Sequence, residues 1–324
     1  MPDTKVDTIV HGGTVATSTS VFEASVAIKD GKFAAIGPQE IMPQADAYID
    51  ATGKYVLPGL IDCHVHLGAV DTWDNGSVGA AQSGLTTLIP FALYEGSRQG
   101  TFADVANRVI QEACSASVLD FTLHFILTND PTTVAGLEDA MKMGITSFKM
   151  FMTYKKRGNR LCSDEHILQA MEVIAANGGL LQIHAENGDI IEYLENKAMA
   201  EGRVKPVDYA ATAPPIAEVE AINRVITLAQ ITDCPLYIVH LTTRGGLERI
   251  KQAQATGQRV WTETCPQYLL LTDAAYETFG PFAKIGPPLR SADLVNQNAL
   301  WEGSAQGYIA TIGSDHSVYA REAK

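Results

Sequence analysis

Short apolar runs separated by turn residues open the chain: Thr8-Ile-Val10, Thr14-Val-Ala16, Ala24-Ser-Val-Ala-Ile-Lys29 and Lys32-Phe-Ala-Ala-Ile36. Asp30-Gly31 joins the last two, and this dipeptide tolerates the positive φ angles of a two-residue hairpin turn. Residues 1–54 therefore read as a small β unit. After Pro58-Gly59 the pattern changes to apolar strands alternating with helical stretches, the mark of βα units that build a parallel sheet. Eight strand candidates fall at 56–62, 85–90, 121–127, 145–150, 180–184, 236–240, 260–264 and 308–313. Helical periodicity lies between them at 104–115, 165–176, 217–229 and 246–255, clearest in Ile216, Val219, Ile222, Val225, Ile226 and Ala229. Eight such repeats predict an α/β fold, a TIM (β/α)8 barrel over residues 55–324, with its site at the carboxyl ends of the strands. The chain stops eleven residues after Gly313, before an eighth helix, so the expectation is a barrel truncated at the C-terminus with part of its wall uncovered.

Polar residues of ligand type sit at or just beyond the ends of five of these strands: His64 and His66, Lys149, His184, His240 and Asp315. His64 and His66 are separated by one residue, so on a strand both imidazoles face one point. A single histidine at a strand end is more often a hydrogen-bonded structural residue than a ligand, and His11, His124 and His166 are assigned that role. His316, next to Asp315, is intermediate. Lys149 stands in an otherwise apolar strand. A buried lysine loses its proton readily, and the neutral amine can add carbon dioxide to give a carbamate that bridges two cations. The alternative is a buried ion pair with Asp315.

Composition narrows the class. With 46% hydrophobic and 19% charged residues in 324, the chain reads as a globular protein with a large core. A net charge of −13 argues against nucleic acid or an anionic membrane as partner, and the longest basic run is only Lys155-Lys156-Arg157. Five scattered cysteines without a CxxC pair favour reduced thiols and a cytoplasmic protein. Met1-Pro-Asp-Thr-Lys-Val-Asp7 lacks the basic start and apolar core of a signal peptide.

Leu57-Pro-Gly-Leu-Ile-Asp-Cys-His-Val-His-Leu67, Ser147-Phe-Lys-Met-Phe-Met-Thr-Tyr-Lys155 and Glu263-Thr-Cys-Pro-Gln-Tyr-Leu269 resemble the amidohydrolase superfamily, in its dihydropyrimidinase and hydantoinase branch. Gln182-Ile-His-Ala-Glu186, Tyr237-Ile-Val-His-Leu241, Lys284-Ile-Gly-Pro-Pro-Leu-Arg290 and Gly313-Ser-Asp-His316 follow in the family's order. The resemblance implies two Zn2+ ions per subunit, bridged by a hydroxide and by Lys149 as N6-carboxylysine. His64, His66 and Asp315 would hold one ion, and His184 and His240 the other. It further implies Asp315 as general base and then acid, Tyr154 as oxyanion donor and substrate contact, and a homotetramer. The expected substrate is a small cyclic ureide or amide, opened to an N-carbamoyl amino acid as in pyrimidine catabolism. In the family, residues 1–54 would be the N-terminal part of a composite β-sandwich.

Gly286 stands where the branch usually carries a substrate-contacting serine, so only its backbone is left to meet the substrate. Three other readings stay beside the cyclic amidase. One is an allantoinase or another cyclic imide hydrolase, the second a non-catalytic scaffold of the collapsin response mediator type, and the third an inactive partial chain.

Overall fold

The computed structural model describes residues 5–68 and 70–323. Met1–Thr4, where part of the leader expectation falls, lie outside the described residues, as do Ala69 and Lys324. Contacts divide the chain into two compact units, residues 1–60 and 61–324.

In the first unit, β1 (Val6–Ala16), β2 (Val21–Lys29), β3 (Lys32–Gly37), β4 (Ala45–Asp50) and β5 (Tyr55–Val56) form one sheet, in the order β3-β2-β1-β4, with β5 also on β1. The two runs at 8–10 and 14–16 are a single strand rather than two. A bulge between Val10 and Gly13 absorbs the break in alternation while pairing with β2 continues. The Asp30-Gly31 turn forms as expected, with φ of 51° and 70°. Val6, Ile9 and Ala27 make one small apolar cluster and Val15, Ala24 and Val26 another.

The second unit is a curled, mostly parallel sheet with helices between its strands. The strands are β6 (Leu60–His66), β7 (Leu85–Tyr94), β8 (Asp120–Phe121), β9 (His124–Leu127), β10 (Ser147–Phe151), β11 (Leu180–His184), β12 (Leu236–Ile238), β13 (Val260–Thr264), β14 (Thr311–Ile312) and β15 (His316–Ser317). Their order is β14-β13-β12-β11-β10-β9-β7-β6-β15, with β8 on β7. The eighth candidate strand, expected at 308–313, is thus two short pieces. Thr311–Ile312 pairs with Glu263–Thr264 of β13, and His316–Ser317 pairs with Val65–His66 of β6. One segment of chain therefore meets both edges of the sheet, and Asp315 lies between the two pairings. The first strand is also displaced: Pro58 lacks the N–H that a ladder needs, so pairing starts beyond it and runs through His64 and His66.

Helices α1 (Trp73–Gln82), α2 (Phe102–Ala116), α3 (Pro131–Ala135), α4 (Leu137–Lys142), α5 (Asp164–Ala176), α6 (Gly188–Ala200), α7 (Pro215–Thr232), α8 (Arg244–Ala255), α9 (Pro266–Leu270), α10 (Ala275–Phe279) and α11 (Val295–Ala305) complete the unit. The entries to α2, α5, α6 and α8 are fixed by Thr101, Ser163, Asn187 and Thr243, whose side chains accept from the first free backbone N–H groups. Of the residues the periodicity picks out on α7, Ile222, Val225 and Ala229 are buried and Val219 and Ile226 half-buried, but Ile216 is 63% exposed. It lies in the first turn beside Pro215, where Ala217 and Glu218 turn inward instead. The core is built from Phe125, Phe148, Met150, Ile183, Leu236 and Ile238 on the strands, packed against Val105, Ile167, Met171, Ile222, Leu247 and Ile250 on the helices. Among the described residues no helix is long and apolar enough to cross a membrane.

Candidate metal centre and substrate cavity

Parallel strands bring all their carboxyl ends to one rim, and the structure gathers the ligand-type residues there. The rings of His66, His64, His240 and His184 form a continuous row, with successive centroids 5.3, 5.4 and 4.4 Å apart. Lys149, from the middle of β10, reaches into this row: its Nζ lies 2.8 Å from His64 Nε2 and 4.4 Å from the centroid of the Phe91 ring. Asp315 Oδ1 lies 3.1 Å from His64 Nε2 and 3.3 Å from His66 Nε2. All six expected metal residues therefore converge. The buried ion pair between Lys149 and Asp315, weighed as the alternative, does not form; each residue meets His64 instead.

Three of the six non-glycine residues with positive φ, among those described, belong to this cluster: Tyr154 at 68°, His240 at 38° and Asp315 at 52°. L-residues adopt this conformation at a cost of about 1 to 3 kcal/mol, which persists where the surroundings hold the side chain in one place. At Asp315 the requirement is visible, because the chain must leave β13 and join β6 within a few residues.

Burial keeps three of the four imidazoles in the form that binds cations, while Glu263 and Asp315 raise the pKa of the fourth, His64. Burial depresses the pKa of His66 to about 4 and holds His240 well below the ordinary histidine value, with His184 lowered for the same reason. These imidazoles are neutral near pH 7, the form that ligates metal. Burial also lowers Lys149, to about 8, bringing the neutral amine within reach. At Asp315 burial opposes ionisation, but His64 and His66 outweigh it and keep the carboxyl well below the usual range.

Two carboxylates that sequence reasoning left without a role complete the arrangement. Glu263, from β13, is buried against His64 Nδ1 and accepts from the Tyr237 hydroxyl at 3.1 Å. It fixes His64 with Nε2 turned toward Lys149 and Asp315. Glu186 takes the same part at His184, its Oε2 2.7 Å from Nε2, leaving Nδ1 available. The signal for Glu263 was present, an acid in the strand run Val260-Trp-Thr-Glu-Thr264, and it parallels Lys149 in its own strand. The structural histidines separate as expected: His166 Nε2 meets the Thr128 carbonyl at 3.0 Å, and His124 turns to Ser147. His316 pairs with Asp71 at 2.5 Å. Carboxylates behind ligating histidines typically govern affinity by about 10- to 100-fold. Glu263→Gln should accordingly weaken metal retention on dialysis against chelator by about that factor, measured by elemental analysis, while leaving a cooperative thermal transition.

The donor set fits metal ions. Ligand atoms of His64, His66 and Asp315 all lie within 4.8 Å of one another. His240 Nδ1 is buried without a hydrogen-bond partner among the described residues, the position of an atom that awaits a Lewis acid.

A cavity of about 610 Å³ opens above the cluster, and His66, Lys149, His184, His240 and Asp315 line it while His64 is fully buried behind them. Tyr154 and Gly286 line the same space, where both were expected. The Tyr154 ring sits 5.0 Å from that of His184, and burial, reinforced by the charge of Glu186, pushes its hydroxyl pKa upward, so the group stays protonated. Gly286 has a steric reason to be glycine: a Cβ there would stand 2.7 Å from the Tyr154 hydroxyl oxygen. Gly286→Ala should destabilise the protein by about 1 to 3 kcal/mol, as overpacked sites do. Most of that loss should vanish in a Tyr154→Phe background, which a double-mutant cycle of thermal denaturation would register; an unchanged penalty would place the clash elsewhere.

No family model matches the chain. It is 36% identical over 323 residues to a D-hydantoinase from Ralstonia pickettii, covering 96% of this chain and 69% of that protein. It is 32% identical over 328 residues to an allantoinase from Escherichia coli O1:K1 / APEC, covering 98% and 71%. The crystal structure of dihydropyrimidinase from Brevibacillus agri NCHU1002 superposes with a TM-score of 0.90 at 35% identity, over 97% of this chain and 69% of that one. At this level of identity, and over nearly its whole length, the chain belongs to the dihydropyrimidinase and hydantoinase family of the amidohydrolase superfamily.

Proposed function

We propose that this protein is a metal-dependent cyclic amidase that hydrolyses the ring amide of dihydropyrimidines or 5-substituted hydantoins to N-carbamoyl amino acids. The observation that carries the reading is the convergence of four histidines, Lys149 and Asp315 at one end of a cavity that also holds Tyr154. Residues 55–324 are read as a (β/α)8 barrel, residues 1–54 as part of a β-sandwich unit, and the protein as a cytoplasmic homotetramer.

His64, His66 and Asp315 would hold one divalent ion, proposed as zinc, and His184 and His240 a second, with Lys149 between them as N6-carboxylysine. When bound, such a pair lowers the pKa of a shared water toward neutrality and polarises the ring carbonyl. The rest belongs to the side chains. Asp315, kept ionised by His64 and His66, takes the proton of the attacking water at its free carboxylate oxygen and returns it to the departing ring nitrogen. Tyr154, kept protonated, donates to the oxygen that gains charge in the tetrahedral transition state. The backbone at Gly286 faces the imide edge of the ring. No covalent link to the protein is needed.

A substrate panel tests this directly. Zinc-loaded protein would be assayed on dihydrouracil, dihydrothymine, hydantoin, allantoin and simple cyclic imides, with metal content measured on the same sample. Ring opening of dihydrouracil or hydantoin is expected. Turnover of allantoin alone would favour the second reading, an allantoinase, which the relative from Escherichia coli supports. Failure on every compound with two equivalents of metal bound would sink the hydrolase reading, and failure to bind metal at all would favour a non-catalytic scaffold.

A further inference from the structure

The longest basic run in the sequence divides at the cavity. Lys155 Nζ pairs with Asp189 at 2.8 Å and Glu192 at 3.0 Å, and Lys156 Nζ with Glu195 at 3.6 Å, so both lysines are tied to α6. Arg157 and Arg160 line the cavity instead, and among the described residues neither is in an ion pair. The guanidinium carbon of Arg157 stands 4.6 Å from the centroid of the Tyr154 ring, which holds it beside the group that faces the substrate. Lys284 lines the cavity as well, its Nζ 4.8 Å from the Tyr209 ring centroid.

The carboxylates that share a smaller pocket with Arg157 are already engaged: Glu192 and Glu195 by the two lysines, and Glu186 by His184. Asp315 is the only carboxylate among the described lining residues, and it faces His64 and His66. The cavity thus runs from an exposed cationic wall at Arg157 to the buried ligand cluster, in a chain whose net charge is −13. A neutral ring with an apolar substituent gives that wall nothing to bind. A guanidinium fork matches a carboxylate, and local positive potential draws an anion into a cleft of an otherwise acidic protein.

Resting on the hydrolase reading above, we infer that the natural substrate is a cyclic ureide or amide whose substituent ends in a carboxylate, received by Arg157 and Arg160. The ring amide then lies toward His184, His240 and Asp315, and the substituent points to the solvent side.

The test separates binding from turnover. Calorimetry on the zinc-loaded full chain would compare N-carbamoyl-aspartate with N-carbamoyl-asparagine, ring-opened products that differ only in the side-chain carboxylate. Turnover of the two parent hydantoins would be followed in parallel. The carboxylate should bind about tenfold more tightly at low ionic strength, the advantage should shrink as salt is raised, and Arg157→Gln with Arg160→Gln should bring the ratio close to one. The paired Arg→Lys variant, which keeps both charges, should retain part of the preference and so controls for loss of fold. Equal affinities in the parent protein, or a preference that survives the glutamine substitutions, overturns the inference whatever the turnover. Carboxylate-selective binding without ring opening of either hydantoin or of any compound in the panel above overturns the hydrolase reading and leaves the anion site standing, and binding of neither ligand overturns the inference while the panel decides the hydrolase reading.

Discussion

Asp315→Asn should lower kcat on hydantoin or dihydrouracil by at least about 10³-fold, roughly 4 kcal/mol of transition-state stabilisation. The amide is nearly isosteric, so the chain can still pass from β13 to β6 at this point, but an amide nitrogen cannot take up a proton and return it. In the proposed reaction both duties fall on one residue, because Asp315 is the acid that reaches His64 and His66 while still lining the cavity. The same substitution would also remove the proposed anionic metal ligand, so metal content and kcat must be measured on one preparation. A variant that retains two equivalents of metal and loses less than about tenfold in kcat would remove Asp315 from the proton transfer.

Lys149→Arg should be as damaging for a different reason. Arginine keeps the positive charge and much of the length, but its pKa above about 12 denies it the neutral form that reacts with carbon dioxide. Lys149, held near 8 by burial, has that form available. Metal content should fall below two equivalents and activity by about 10³-fold or more, within the range that metal-ion chemistry supplies. The parent protein offers a complementary check. Burial stabilises the neutral amine, whose fraction rises as pH rises through about 8. Reconstitution of metal-free protein with zinc and bicarbonate should therefore proceed faster at pH 8.5 than at pH 7. A rate independent of both pH and bicarbonate would mean that Lys149 acts as the free amine.

The strand ends were the most legible part of the molecule. His64, His66, Lys149, His184, His240 and Asp315 were all marked by their position in the βα pattern, and all meet in space. The periodicity of α7 identified its inner face apart from Ile216, where the run of prolines sets the first turn. The eighth strand falls within its expected range only at Thr311–Ile312, and the second pairing at His316–Ser317 lies beyond it, because two-residue pairings leave almost no trace in local sequence. Only their partners, Glu263–Thr264 on one side and Val65–His66 on the other, define them.

The alternation of apolar strands with amphipathic helices, and the residue types at the strand ends, are local properties that the sequence by itself determined, because a period of two or of 3.6 needs no distant partner. Only the tertiary structure decided which groups serve those ends. Glu263 behind His64, Glu186 behind His184, the room that Gly286 leaves for Tyr154 and the turning of Arg157 and Arg160 into the cavity while Lys155 and Lys156 face α6 depend on side-chain geometry that no local spacing encodes. Burial, which lowers the pKa of Lys149, His66, His184 and His240, exists only once the strands have closed around them.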